Sequence, residues 1–66
     1  MFATDRHYQD KQRRQYQEAL SRGHTAAAHD ALWRAASAAN RLDSWEAYGP
    51  NFSPERVAQL VRELGW

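Results

Sequence analysis

Ala28, Leu32, Ala35, Ala39 and Leu42 recur at steps of four, three, four and three residues. That spacing places five small or aliphatic side chains on one face of a helix. Asp30, Arg34, Ser37, Arg41 and Ser44 fall on the opposite face. Because the stripe is mostly alanine, a neighbour can approach to the short end of the roughly 8–10 Å range of helix spacings. The pattern predicts a central helix over residues 25–48, with one packing segment before it and one after. Its weak point is Asn40 to Ser44, where Asn40-Arg41-Leu42-Asp43 can break the helix and restart it as a shorter piece.

The segment before it, residues 4–22, also reads as helix. Tyr8, Gln12, Tyr16, Ala19 and Leu20 share a face, while Arg6, Asp10, Arg14, Glu18 and Arg22 run down the other side with alternating sign. Asp10–Arg14 and Glu18–Arg22 have the acid-first order that supports a helix by about 0.2–0.5 kcal/mol per pair. With glutamine at one apolar position the face is thin, so this helix depends on its neighbour. Gly23 fits a left-handed helix end and Thr25 the next N-cap, which predicts a tight antiparallel hairpin.

Gly49-Pro50 ends the central stretch, and the last segment, residues 54–64, has explicit start and stop signals. Ser53 fits an N-cap, Pro54 the first helical position, and Glu55 the positive end of the helix dipole. Phe52 before the cap and Val57 at the fourth helical position fit a hydrophobic staple. Val57, Leu60, Val61 and Leu64 form an apolar stripe, and Gly65-Trp66 fits a Schellman ending with the tryptophan folded back toward Leu60 or Val61. The expected architecture is therefore an all-α, small three-helix domain spanning residues 1–66: an antiparallel helical hairpin plus a shorter C-terminal helix. Residues 16–36 resemble a single tetratricopeptide hairpin, through Gly23, Ala28, Leu32 and Ala35. The earlier part of that repeat is unmatched and there is no second copy, so the resemblance implies a helical hairpin and not membership of the family.

A chain of 66 residues buries only about 60% of the surface its unfolded form exposes. With no cysteine, disulfides and thiolate metal sites are excluded. Small domains without such staples often gain stability by oligomerising or by docking on another protein. Nine Lys plus Arg stand against eight Asp plus Glu, a weaker bias than dedicated nucleic-acid binders carry. The opening MFATDRHYQ lacks the long apolar core of a signal peptide, and no run reaches membrane-spanning length. Asn51-Phe52-Ser53 fits the glycosylation sequon by coincidence, and a cytoplasmic location without membrane contact is the expectation.

Enzymatic and metal chemistry find little support. His24 and His29 are five residues apart and share no helix face, and His7 lies far from both. Ser21, Ser37, Ser44 and Ser53 read as helix surface or caps, and Asp43 and Glu46 as solvated neighbours. Three short helices leave little room for a cleft. The expectation is a non-enzyme with no cofactor and no metal.

Two binding readings follow. A nucleic-acid regulator of helix-turn-helix type would use Lys11, Arg13 and Arg14, with glutamines interleaved, although Asp5, Asp10 and Glu18 dilute the patch. A protein-binding adaptor or inhibitor, acting on a larger protein or through self-association, has the stronger physical motive. On a helical projection Trp33 and Trp45 point to opposite flanks of the central stripe, so one of them is left partly exposed. Exposed tryptophan beside arginine is typical of interface anchors, and Arg34 and Arg41 project near Trp45. Trp33, Arg34, Arg41, Trp45 and Tyr48 are the candidate contact residues.

Overall fold

A computed structural model describes residues 5–66. Helix α1 (Arg6–Ser21), helix α2 (Thr25–Ala38), one 3-10 turn at Trp45–Tyr48 and helix α3 (Pro54–Leu64) follow in that order, with no strand among the described residues. α1 and α2 form the antiparallel hairpin and share the most extensive contact between elements; the shorter α3 packs on α2. The expected start of the first helix at residue 4 lies outside the described residues. α1 begins after Asp5, whose carboxylate accepts the His7 backbone N–H at 3.2 Å.

All three helices end the same way. After α1, His24 N–H reaches the Ala19 carbonyl at 2.8 Å and Gly23 N–H the Leu20 carbonyl at 3.0 Å, with Gly23 at φ 73°. After α3, Trp66 N–H reaches Val61 O at 2.9 Å and Gly65 N–H reaches Arg62 O at 3.2 Å, with Gly65 at φ 76°. After α2, Arg41 N–H reaches Ala36 O at 2.8 Å and Asn40 N–H reaches Ser37 O at 3.0 Å, with Asn40 at φ 60°. Each is a Schellman ending, a left-handed residue turning the chain so that the last carbonyls keep donors.

The ending at Asn40 shortens the central helix that the stripe predicted over residues 25–48: α2 stops at Ala38. Asparagine is the side-chain-bearing residue most at ease in the left-handed region, so it acts here as glycine does at the other two ends. The chain then restarts only as the short 3-10 turn. Thr25 is also not a cap. It is the first residue of α2, and His24 before it makes no side-chain capping bond. Ser53 does cap α3, its hydroxyl accepting the Arg56 N–H at 3.1 Å.

α2 buries a broad arc. Leu32 and Ala36 join Phe52 and Leu60 in the central cluster, and Tyr16, Trp33, Leu42, Val57, Val61, Leu64 and Trp66 pack around it. Ala28, Ala31 and Ala35 are buried at the seam with α1, whose own buried residues are Gln12 and Ala19. The glutamine expected to weaken the face of α1 is thus its best covered polar side chain, and Arg34 Nε donates to its Oε1 at 2.9 Å. Gln9 Nε2 donates to the Ala35 carbonyl at 3.0 Å, which ties the same seam. Leu20, assigned to that face, is instead 47% exposed. Trp66 folds back onto the cluster and tilts against Tyr16 of α1, ring centroids 5.4 Å apart.

Candidate functional site

The connection from α2 to α3 places the aromatic candidates. Its anchor is Glu46, which the sequence reading took for solvated and which is fully buried. Arg56 of α3 meets its carboxylate with two donors, Nε to Oε2 at 2.6 Å and Nη2 to Oε1 at 2.7 Å. Oε1 also accepts the Asp43 backbone N–H at 2.9 Å. Arg56 Nη2 reaches on to the Arg41 carbonyl at 3.1 Å. The Glu46 carbonyl accepts the Trp33 indole N–H at 2.8 Å and the Gly49 N–H at 3.2 Å. One residue therefore fastens the connection to α2 and to α3 at once. The paired guanidinium holds the Glu46 carboxyl below its ordinary range against the opposing effect of burial, and the same pair raises Arg56.

On either side of this anchor the chain points outward. Trp45 is 60% exposed and Tyr48 92% exposed, and neither belongs to the packed cluster. A bidentate, desolvated ion pair restrains the turn, so two large aromatic side chains are held at the surface on a backbone with little freedom.

The structure divides the five predicted contact residues. Trp45, Tyr48 and Arg41 are exposed around the connection. Trp33 is half-buried against the core with its indole N–H satisfied, so the tryptophan left for solvent is Trp45. Arg34 faces the α1 seam, pairing with Asp30, donating to Gln12, and donating to Gln15 Oε1 at 3.1 Å. Its projected nearness to Trp45 assumed a helix running through residue 45, and with α2 ending at Ala38 that projection has no meaning.

Beside the aromatic turn lies a groove of about 720 Å³, open between the connection and α3 and lined among others by Arg41, Asp43, Trp45, Glu55, Arg56 and Glu63. The expectation of little room for a cleft is corrected. Its walls are the connection that follows the early end of α2 and the face of α3 carrying Glu55, Gln59 and Glu63.

Lys11, Arg13 and Arg14 are all exposed on α1; Arg14 lies opposite the Gln12–Ala19 seam, while Lys11 and Arg13 stand on its two different flanks. Asp10–Arg14 and Glu18–Arg22 do not pair; among the described residues the ion pairs are Asp30–Arg34 and Glu46–Arg56. Both lie in covered or half-covered settings, whereas the α1 charges are exposed and gain little by closing. Among the described residues no three His, Asp or Glu side chains stand together as metal ligands, and no helix is long and apolar enough to cross a membrane.

Glu46 is the residue that sequence reasoning missed. Its partner lies ten residues away on another element, and no periodicity links the two. The one available signal was an arginine placed early in a helix beside an otherwise apolar stripe. Compared with protein-family models, with curated proteins and with solved structures, the chain matches none.

Proposed function

We propose that this chain is a non-enzymatic protein-binding module, an adaptor or inhibitor that docks on a larger protein through Trp45, Tyr48 and Arg41. The observation that supports the reading is the pairing of a fully buried Glu46 with exposed aromatics on both sides of it. Tryptophan, tyrosine and arginine are the residues most enriched among energetic anchors of interfaces. Holding them on a fixed turn lowers the ordering cost that binding must otherwise meet. Capture from the native cell with the wild-type protein, set beside the double variant Trp45→Ala with Tyr48→Ala, tests this. A partner retained by the wild type and lost by the variant is expected, with helicity by circular dichroism unchanged. Equal capture by both would remove the aromatic turn from the interface.

A second reading rests on the exposure of Lys11, Arg13 and Arg14 along α1. As a nucleic-acid surface they require retention on DNA that falls steeply with salt and is abolished by charge reversal at the three positions. Retention indifferent to that reversal excludes it.

A further inference from the structure

The charges around the groove specify what kind of protein segment fits it. Arg56 is neutralised from beneath by Glu46. What remains at the rim is Asp43, Glu55 and Glu63, all exposed, against the single guanidinium of Arg41. Trp45 forms part of the same wall. An acidic segment would meet three carboxylates at close range. An apolar one would cover those carboxylates without pairing them, which is costly. A segment carrying lysine or arginine satisfies them, and its aliphatic stems or guanidinium planes can lie on the Trp45 indole. The whole chain carries a net charge of only +1, so general electrostatics would not draw cations to it. Any preference for them must come from this local surface.

We infer that the groove between the α2–α3 connection and α3 receives a basic segment of a partner protein, its cations on Glu55, Glu63 and Asp43 and its stems against Trp45. This deepens the protein-binding reading above and rests on its Trp45 contact; Tyr48 stands outside the groove, and Arg41 at its rim is left to other groups of the same partner. The register follows from the helix. Glu55, Gln59 and Glu63 form one i±4 row of α3, and Gln59 Nε2 donates to Glu63 Oε2 at 3.0 Å, which steadies the far carboxylate. Eight residues at about 1.5 Å rise separate the two glutamates by about 12 Å along the axis. An extended segment advances about 3.3 Å per residue, so cations four positions apart span about 13 Å and point to the same side. The fitting segment has the pattern basic-x-x-x-basic.

Panning a phage-displayed library of random 12-residue peptides on the intact protein tests this. Lysine or arginine at four-residue spacing should be enriched. A synthetic copy of the most enriched peptide should change the tryptophan fluorescence of the wild type and lose that effect in Trp45→Ser. Its affinity should fall about tenfold in E55K/E63K and less in E55Q/E63Q, and should weaken with salt. All the substituted side chains are exposed, and unchanged circular dichroism keeps a loss of binding from being a loss of fold. Enriched peptides without basic residues, or binding indifferent to E55K/E63K, overturn the inference. If such peptides still depend on Trp45, the aromatic-turn reading stands and only the basic partner falls. If no peptide depends on Trp45 and cell capture is also unaffected by its removal, both fall. Sedimentation that shifts with concentration and is abolished by E55K/E63K would overturn the assignment to a separate partner and put a second copy of this chain in the groove.

Discussion

α2 meets α1 through alanines and a bridge of glutamine and arginine side chains; it meets α3 and its preceding connection through Leu32, Ala36, Phe52, Leu60 and the Trp33 bond to the Glu46 carbonyl, beside the buried ion pair that ties that connection to α3. The first seam is close but removes little apolar area per residue from water, so hydrogen bonds from Gln9 and Arg34 carry much of its specificity. The second has large side chains and desolvated charges, and each is costly to disturb. A small helical protein can thus place its stability and its hairpin geometry in different interfaces. The face proposed for binding grows out of the stronger one.

The largest test of that contrast is truncation in the α3-side cluster. Phe52→Ala should cost about 3–5 kcal/mol and Leu60→Ala about 2–5 kcal/mol. Total stability for a chain of this length is roughly 3–10 kcal/mol. Thermal melts followed by circular dichroism should therefore show these variants with the largest drop in melting temperature of any single substitution considered, down to unfolding at room temperature if the wild type lies at the low end of that range. A loss below 1 kcal/mol would mean that the cluster does not carry the fold.

Next comes Glu46→Gln, which strands Arg56. Loss of one partner of a buried pair costs about 3–5 kcal/mol; the lower end is expected because the Arg56 side chain keeps 16% of its exposure. The sign with pH is fixed by the lowered carboxyl value of Glu46 in the folded state. Its contribution is fully present above the ordinary glutamate range and is lost as pH falls through the lower folded-state value. The difference in melting temperature between wild type and Glu46→Gln should be constant near neutrality and close only in strong acid. A gap that shrinks between pH 7 and 6 would contradict the pairing.

On the other seam, Gln12→Ala removes one hydrogen bond to a half-exposed Arg34 and should cost about 1 kcal/mol in chemical denaturation. A loss as large as that of Glu46→Gln would erase the distinction between the two interfaces. The smallest pair of effects falls between them, at Asn40. Asn40→Gly should be neutral or stabilising within about 1 kcal/mol, whereas Asn40→Ala should destabilise by about 1 kcal/mol, because only the second opposes φ 60°.

Much of this architecture was legible residue by residue. The alanine spacing, Gly23, the Phe52-Ser53-Pro54 start and the Gly65-Trp66 stop are local signals, and local geometry obeys them. The end of α2 was harder to read because Ala39 and Leu42 continue the helical rhythm and are half-buried, yet they reach that position from a loop. Periodicity reports which side chains are covered and not which backbone delivers them. Asn40 alone announced the turn. Of the five residues that composition singled out for contact, Trp45, Tyr48 and Arg41 are exposed, whereas Trp33 and Arg34 are used internally by the fold. A tryptophan or an arginine serves packing as readily as recognition, and only the folded geometry separates the two uses.

The alternation at the 3-10 turn carries one more implication. Trp45, Ala47 and Tyr48 face solvent while Glu46 among them is wholly enclosed. Diversity at three positions is therefore uncoupled from folding, provided the glutamate is kept constant. A combinatorial library randomised at 45, 47 and 48 would vary the proposed contact surface while leaving the scaffold intact, so any specificity carried there could change without first loosening the frame beneath it.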